Sequence, residues 1–126
     1  MPTADSAAKE LGRRGEALAA AHYERLGYRV LARNHRTRFG ELDLVLAAED
    51  GATIVFCEVK TRRAGGGEPM ENLHDRKRHQ VRRMAAAWLA AVADRPFGAD
   101  LRFDAVGVTL ADDGSLVRLD HLEAAF

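Results

Sequence analysis

The stretch Gly40-Glu41-Leu42-Asp43-Leu44-Val45-Leu46-Ala47-Ala48-Glu49-Asp50-Gly51-Ala52-Thr53-Ile54-Val55-Phe56-Cys57-Glu58-Val59-Lys60 decides the fold. Two apolar runs flank Asp50-Gly51, a dipeptide that favours the tight turn of a β-hairpin. A turn centred there sets Ala47 opposite Ile54, Val45 opposite Phe56, Asp43 opposite Glu58 and Glu41 opposite Lys60. Side chains alternate across a strand, so these four pairs are expected on one face. Leu42, Leu44 and Leu46 against Val55, Cys57 and Val59 make the other. Both faces are largely apolar, as in a strand pair covered on both sides. Slipping the register by one residue would place the acids among the leucines, an expensive burial of charge.

On this register Asp43, Glu58 and Lys60 gather at one end of a greasy hairpin, with Glu41 beside them. Buried carboxylates are costly unless a cation compensates. Two carboxylates next to a lysine are also what metal-dependent cleavage of a phosphodiester requires. Asp43 and Glu58 are the candidate ligands for Mg²⁺ or Mn²⁺, leaving the outer positions of the ion to water and phosphate. Lys60 is the candidate group to orient or deprotonate the water, or to neutralise the phosphate. An ion pair between Lys60 and Glu41 with no chemical role is the competing account of the same charges.

The remaining elements follow outward. A helix fits 7–26, with Leu11, Leu18 and Leu26 on its apolar side and Gly27 after it as a cap. Gly12 and Gly15 inside that helix point either to close backbone packing or to a frayed first turn. Residues 28–34 read as a strand and 34–39 as a basic connection. The hairpin strands span about 40–48 and 53–62. The run Arg63-Ala-Gly-Gly-Gly-Glu-Pro69 is a break, and no Gly-Lys-Ser/Thr closes it into a phosphate loop. A second helix over 74–93 carries Val81, Met84, Ala85, Trp88, Leu89 and Val92 at helical spacing. Strands at 101–110 and 116–122, joined at Asp112-Asp113-Gly114, complete an order α-β-β-β-α-β-β.

The 126 residues suffice for one domain, with residues 1–6 read as a loose tail. The formal net charge is zero, so the chain is no general polycation. The bases are nonetheless uneven: five Arg and no acid lie between Arg25 and Arg38, and eight Lys or Arg against three acids between Lys60 and Arg83. These stretches suit a phosphate backbone. The candidate contacts in and around them are Arg36, Arg38, Arg62, Arg63, Arg76, Lys77, Arg78, Arg82 and Arg83. A solvated helix face explains the last five equally well. Cys57 is the single cysteine, read as a buried structural thiol, so neither a disulfide within the chain nor a Cys/His zinc site is expected. The five histidines show no metal-ligand spacing. The chain shows neither a signal-peptide pattern nor an apolar run near the roughly 18 residues of a membrane span, and a cytoplasmic location is expected.

Asp43 followed by Glu58-x-Lys60 resembles the motif of the PD-(D/E)xK nuclease superfamily. A longer set of residues is more specific: Gly12-Arg-Arg-Gly15-Glu16-x-Leu18-Ala19, Gly27-Tyr28, Asn34, Gly40-Glu41-Leu42-Asp43-Leu44-Val45, Val55-Phe56-x-Glu58-Val59-Lys60-Thr61-Arg62 and Arg102-Phe103-Asp104-Ala105-Val106. Together these resemble the YraN-like bacterial family, itself similar to archaeal Holliday junction resolvases. The resemblance implies one nuclease-like α/β domain over residues 1–126, with a restriction-endonuclease-like αβββαβ core and a mixed sheet flanked by helices. It implies a Mg²⁺- or Mn²⁺-dependent endonuclease acting on DNA, including branched or structured DNA, and a homodimer. It brings Glu16 forward as a further acid of the site and Glu41 as a second-metal ligand or a partner of Lys60. A non-catalytic nucleic-acid-binding module on the same fold is the alternative. Asp104, in mid-strand, is expected to be structural.

Overall fold

The computed structural model describes residues 4–66, 75–92 and 100–126. Its elements are α1 (Ala4–Arg25), β1 (Arg29–Thr37), β2 (Gly40–Ala47), β3 (Thr53–Arg63), α2 (Asp75–Ala91), β4 (Asp100–Leu110) and β5 (Leu116–Leu122). The order is the one the sequence predicts. The strands form one mixed sheet in the order β1-β2-β3-β4-β5. Neighbours are antiparallel except β3 and β4, which run parallel. A parallel pair needs a long crossover, and here the crossover contains α2.

Each helix covers one face of the sheet. Ala19, Ala20 and Tyr23 of α1 bury Leu44, Leu46, Val55, Cys57, Val106 and Val108. On the opposite face Val81, Met84, Ala85 and Trp88 of α2 bury Leu42, Val45, Ile54 and Phe56. Cys57 is buried in the first core, with its thiol pKa pushed up by burial, as a structural cysteine should be. The hairpin register is the expected one over its apolar half: Leu44 opposite Cys57, Val45 opposite Phe56, Leu46 opposite Val55 and Ala47 opposite Ile54. Gly51 takes a φ of 73° in the turn, where a Cβ would be unfavourable.

The helix begins at Ala4, inside the segment read as a loose tail, and ends at Arg25 before an exposed Leu26. Two further expectations fail, and both of these failures shape the site. The basic segment after Asn34 is no loop: β1 continues to Thr37, paired with β2 down to Thr37–Gly40. Arginines are tolerated there because β1 is an edge strand with one side open to water. The turn is fixed by Phe39 N–H donating to Thr37 Oγ1 at 3.0 Å and Thr37 Oγ1 donating to Gly40 O at 2.8 Å. The second failure concerns alternation in β2. Leu42 packs with Val45 on the α2 side, whereas Leu44 packs on the α1 side. In a regular strand Leu42 and Leu44 would share a face, so the strand changes phase at Asp43. Directly across from that point on β1 lies Asn34, between the pairs Arg33–Leu44 and His35–Leu42, with a left-handed φ of 50°.

Candidate metal centre

The β2–β3 ladder stops at Leu44–Cys57. Continuing it would set the Asp43 and Glu58 carboxylates directly opposite one another, and like charges in that relation are destabilising. The strands part instead. Asp43 turns its side chain into the gap, where Oδ2 accepts the Val59 N–H at 2.8 Å. Glu41 does not pair with Lys60 in the ladder; its ladder partner is Arg36 of β1, whose Nη2 lies 3.6 Å from Glu41 Oε2.

Helix α1 supplies the third acid. Gly15 is buried against β3, and a Cβ there would collide with Oγ1 of Thr61. The missing side chain lets the helix descend onto the strand, and the next residue, Glu16, reaches the fork. Glu16, Glu41 and Asp43 each present a carboxylate oxygen, all within 4.8 Å of one another. Asn34 braces two of them. With its amide oriented to satisfy its neighbours, the nitrogen donates to Glu16 Oε2 at 2.6 Å and Glu41 Oε1 at 3.0 Å.

The crowding shows in the acidities. Burial pushes Asp43 up to about 8, helped by the charges of Glu58 and Glu16 and opposed by the Val59 N–H. Burial likewise raises Glu16, with Glu41 and Glu58 adding to the shift and Arg13 opposing it. Such groups favour a cation that restores their charge. An all-oxygen donor set suits a hard divalent ion such as Mg²⁺, Mn²⁺ or Ca²⁺ rather than a thiophilic one, so the donor chemistry fits the metal expected from the sequence.

The site residues read from the sequence divide as follows. Asp43, Glu16 and Glu41 converge. Glu58 is in hydrogen-bond contact with the Asp43 carboxyl and raises both Asp43 and Glu16, though it falls outside the group of three within 4.8 Å of one another. Lys60 and Arg62 line a cleft of about 400 Å³ together with Glu16, Glu41 and Asp43. Arg36 lines a second cleft of about 390 Å³ together with Glu16 and Glu41. Arg63 points away, with Nη1 donating to Asp112 O at 3.5 Å. Arg82 donates to Phe126 O at 3.1 Å and stacks 4.6 Å from the Phe103 ring centre. Arg38 and Arg83 both lie over the Phe39 ring, at 4.8 and 5.8 Å. The side chains of Arg76, Lys77 and Arg78 lie outside the described residues.

Sequence reasoning passed over Lys9, Arg13 and Asn34, which share the second cleft with Arg36, Glu16 and Glu41. The signal for the first two was present: Lys9, Arg13 and Glu16 fall on one helix face at i, i+4 and i+7. It also passed over a pairing of histidines. His22 Nε2 and His121 Nδ1 are 3.0 Å apart, and His121 Nε2 lies 2.8 Å from Asp104 Oδ2. The buried Asp104 also accepts Tyr23 O–H at 2.8 Å and two bonds from Arg102. Burial works to raise its pKa, but donation by Arg102, His121 and Tyr23 holds it below the usual range. Asp104 is therefore structural, as its position suggested, and clamps α1 to β4 and β5.

Fold and site together define an α/β protein in which Glu16, Glu41 and Asp43 are placed so that they could hold a metal ion. The chain belongs to the uncharacterised protein family UPF0102, whose profile matches residues 15–108. It is 45% identical over 131 aligned positions to a UPF0102 protein of Acidothermus cellulolyticus, covering 96% of each chain. A UPF0102 protein of Geobacter sulfurreducens is 45% identical over 119 positions, 94% of this chain and 89% of the relative. One from Frankia alni is 47% identical over 117 positions, covering 92% and 93%. No helix among the described residues is long and apolar enough to cross a membrane.

Proposed function

We propose that this protein is a metal-dependent endonuclease of the PD-(D/E)xK kind, hydrolysing phosphodiester bonds in DNA, including branched or structured DNA. The observation that carries this reading is the convergence of Glu16, Glu41 and Asp43 from two chain segments within 4.8 Å, beside a cleft that Lys60 lines. The resemblance of Asp43 and Glu58-x-Lys60 to the superfamily motif, and of the longer residue set to the YraN-like family, supports it.

A Mg²⁺ or Mn²⁺ ion held by these carboxylates would supply an acidified water and charge neutralisation at phosphorus. The chain's own groups do the rest. Asp43 is fixed by the Val59 N–H, so its carboxyl group has a defined direction. Burial first and the Glu58 charge next raise the proton affinity of Asp43, so Asp43 would give up a proton near neutrality on binding a cation. Lys60 places a positive charge in the cleft, where phosphate charge develops.

The test is cleavage of labelled duplex, single-stranded and four-way junction DNA with Mg²⁺ or Mn²⁺. Asp43→Asn and Lys60→Ala should each abolish it while the protein stays folded. The second reading, a nucleic-acid-binding module without turnover, draws on Asn34 and Arg36, which already satisfy Glu41 without a cation. It requires binding that survives Glu58→Ala and no cleavage with either metal.

A further inference from the structure

Gly12 and Gly15 lie one turn apart in α1 and have opposite surroundings. Gly15 is needed because Thr61 occupies the place of its side chain. At Gly12 nothing lies within 4 Å of where a Cβ would stand. A glycine inside a helix lowers helix stability relative to alanine, and here no packing offsets that. Gly12 instead lines the cleft that holds Asp43, Lys60 and Arg62. A second cleft is lined by Lys9, Arg13, Asn34 and Arg36. Glu16 and Glu41 line both, so the acids are shared by two lobes of similar volume.

Each lobe is supplied with cations. Lys9 and Arg13 share the helix face that delivers Glu16, and Arg36 comes from the edge strand. Lys60 and Arg62 stand in the other lobe. The ion pairs among the described residues do not involve Lys9, Arg13, Lys60 or Arg62. A polyanion with regularly spaced charges fits such an alternation of cations, acids and cations. On α2, Arg82 and Arg83 lie over the Phe103 and Phe39 rings instead.

We infer that the two clefts are one groove for a single polynucleotide strand, kept open under the first half of α1 by Gly12. One phosphate would be bridged to Glu16, Glu41 and Asp43 by a divalent ion held by these carboxylates. Its neighbours on one side contact Lys9, Arg13 and Arg36, and those on the other contact Lys60 and Arg62. The identity of the ligand rests on the phosphodiesterase reading above; the course of the groove does not.

The experiment measures binding of a fluorescein-labelled single-stranded DNA oligonucleotide by anisotropy, with Ca²⁺ present to neutralise the acids. Gly12→Leu adds bulk to the groove and no charge. It should weaken binding at least tenfold, while the melting temperature stays at or above that of the parent protein and Mn²⁺ affinity is unchanged. The pair Lys9→Gln and Arg13→Gln should make the salt dependence of binding shallower by about 1.4 in log–log slope, at ~0.7 per contact with a single strand. This double variant carries the test if Gly12→Leu does not fold. Arg29→Gln, at the far end of β1, should change neither. Binding by Gly12→Leu within twofold of the parent, an unchanged salt slope in the double variant, or no strand binding by the parent would each overturn the inference. A parent protein that binds the strand, loses it with Gly12→Leu and cuts nothing with Mn²⁺ would keep the groove and sink the nuclease reading. Equal cleavage by the parent and Gly12→Leu would do the reverse.

Discussion

The backbone N–H of Val59 donates to Oδ2 of Asp43 at 2.8 Å, so a carboxylate side chain takes the place of a strand-to-strand bond. This one contact ends the β2–β3 ladder, satisfies the Val59 amide and pins an acid inside the fork. It also leaves Asp43 with too little compensation for burial among Glu16, Glu41 and Glu58, and its acidity is pushed up to about 8 by burial first and by Glu58 next.

Stability should therefore depend on pH with a definite sign. Asp43 titrates at 3.8 in the absence of these surroundings and near 8 in the folded protein. A raised folded pKa means its contribution to stability is fully present below about pH 4 and is lost as pH rises through about 8. Asp43→Asn keeps an acceptor for Val59 and removes the ionisation. The metal-free variant should be more stable than the parent at pH 8 by at least about 1.4 kcal/mol, the worth of one pKa unit, and the gain should shrink towards pH 5. Urea unfolding at the two pH values measures it. An equal effect at both would refute the account.

Metal uptake should run the other way. The ion requires Asp43 ionised, so binding expels a proton below pH 8 and affinity rises with pH. Titration calorimetry of Mn²⁺ between pH 6 and 8 should show affinity increasing by up to about tenfold per unit, with a heat that depends on the ionisation enthalpy of the buffer. A pH-independent affinity would mean that Asp43 is not a ligand.

The apolar half of the hairpin was legible because period-two alternation and Asp50-Gly51 agree on one register, which the four pairs from Leu44–Cys57 to Ala47–Ile54 follow. The same arithmetic failed one residue further on, at Asp43 and Glu58. It assumes a continuous ladder, whereas Asp43 Oδ2 takes the Val59 N–H where the ladder would continue. Asn34 gave no warning, since a single left-handed residue inside a strand leaves no periodic trace. Gly12 and Gly15 look alike in sequence and differ only in what stands opposite them. His22 and His121 are 99 positions apart, so no local spacing could join them. Glu16 came from family resemblance, and the helix-face spacing that also carries Lys9 and Arg13 would have placed all three.

Gly15→Ala should test how closely α1 must approach the sheet. The added methyl group meets Thr61 Oγ1 and Cβ, and overpacking of this kind costs about 1–3 kcal/mol, more than the helix propensity gained. Relief requires α1 to rise, which withdraws Glu16 from Glu41 and Asp43. Loss of both thermal stability and Mn²⁺ affinity is expected. The compensating pair Gly15→Ala with Thr61→Gly should recover both, and failure to recover the metal would separate Glu16 from the site.

The clamp at the other end of α1 should matter to folding and little to the metal. Asp104 is buried and holds Arg102, His121 and Tyr23. Asp104→Ala takes the main partner from a half-buried Arg102, which keeps Tyr28 and Glu123, and the acceptor from Tyr23, and should cost about 1–3 kcal/mol. Tyr23→Phe removes one neutral donor to a charged acceptor and should cost about 1.5–3 kcal/mol. Mn²⁺ affinity of Tyr23→Phe, measured well below its melting temperature, should stay within about threefold of the parent, because Asp104 is not among the converging carboxylates.

Asn34 offers the cleanest separation of backbone strain from side-chain function. Its φ of 50° is accessible to glycine without penalty, whereas alanine there pays about 1–2 kcal/mol. Both substitutions delete the amide that bonds Glu16 and Glu41. Asn34→Gly and Asn34→Ala should therefore lose Mn²⁺ affinity to a similar degree, about tenfold or more, as expected when a group that orients metal ligands is removed. Only Asn34→Ala should also lose the stability owed to strain. If metal affinity instead tracks stability across the two variants, Asn34 serves the strand's change of phase and not the carboxylates it touches.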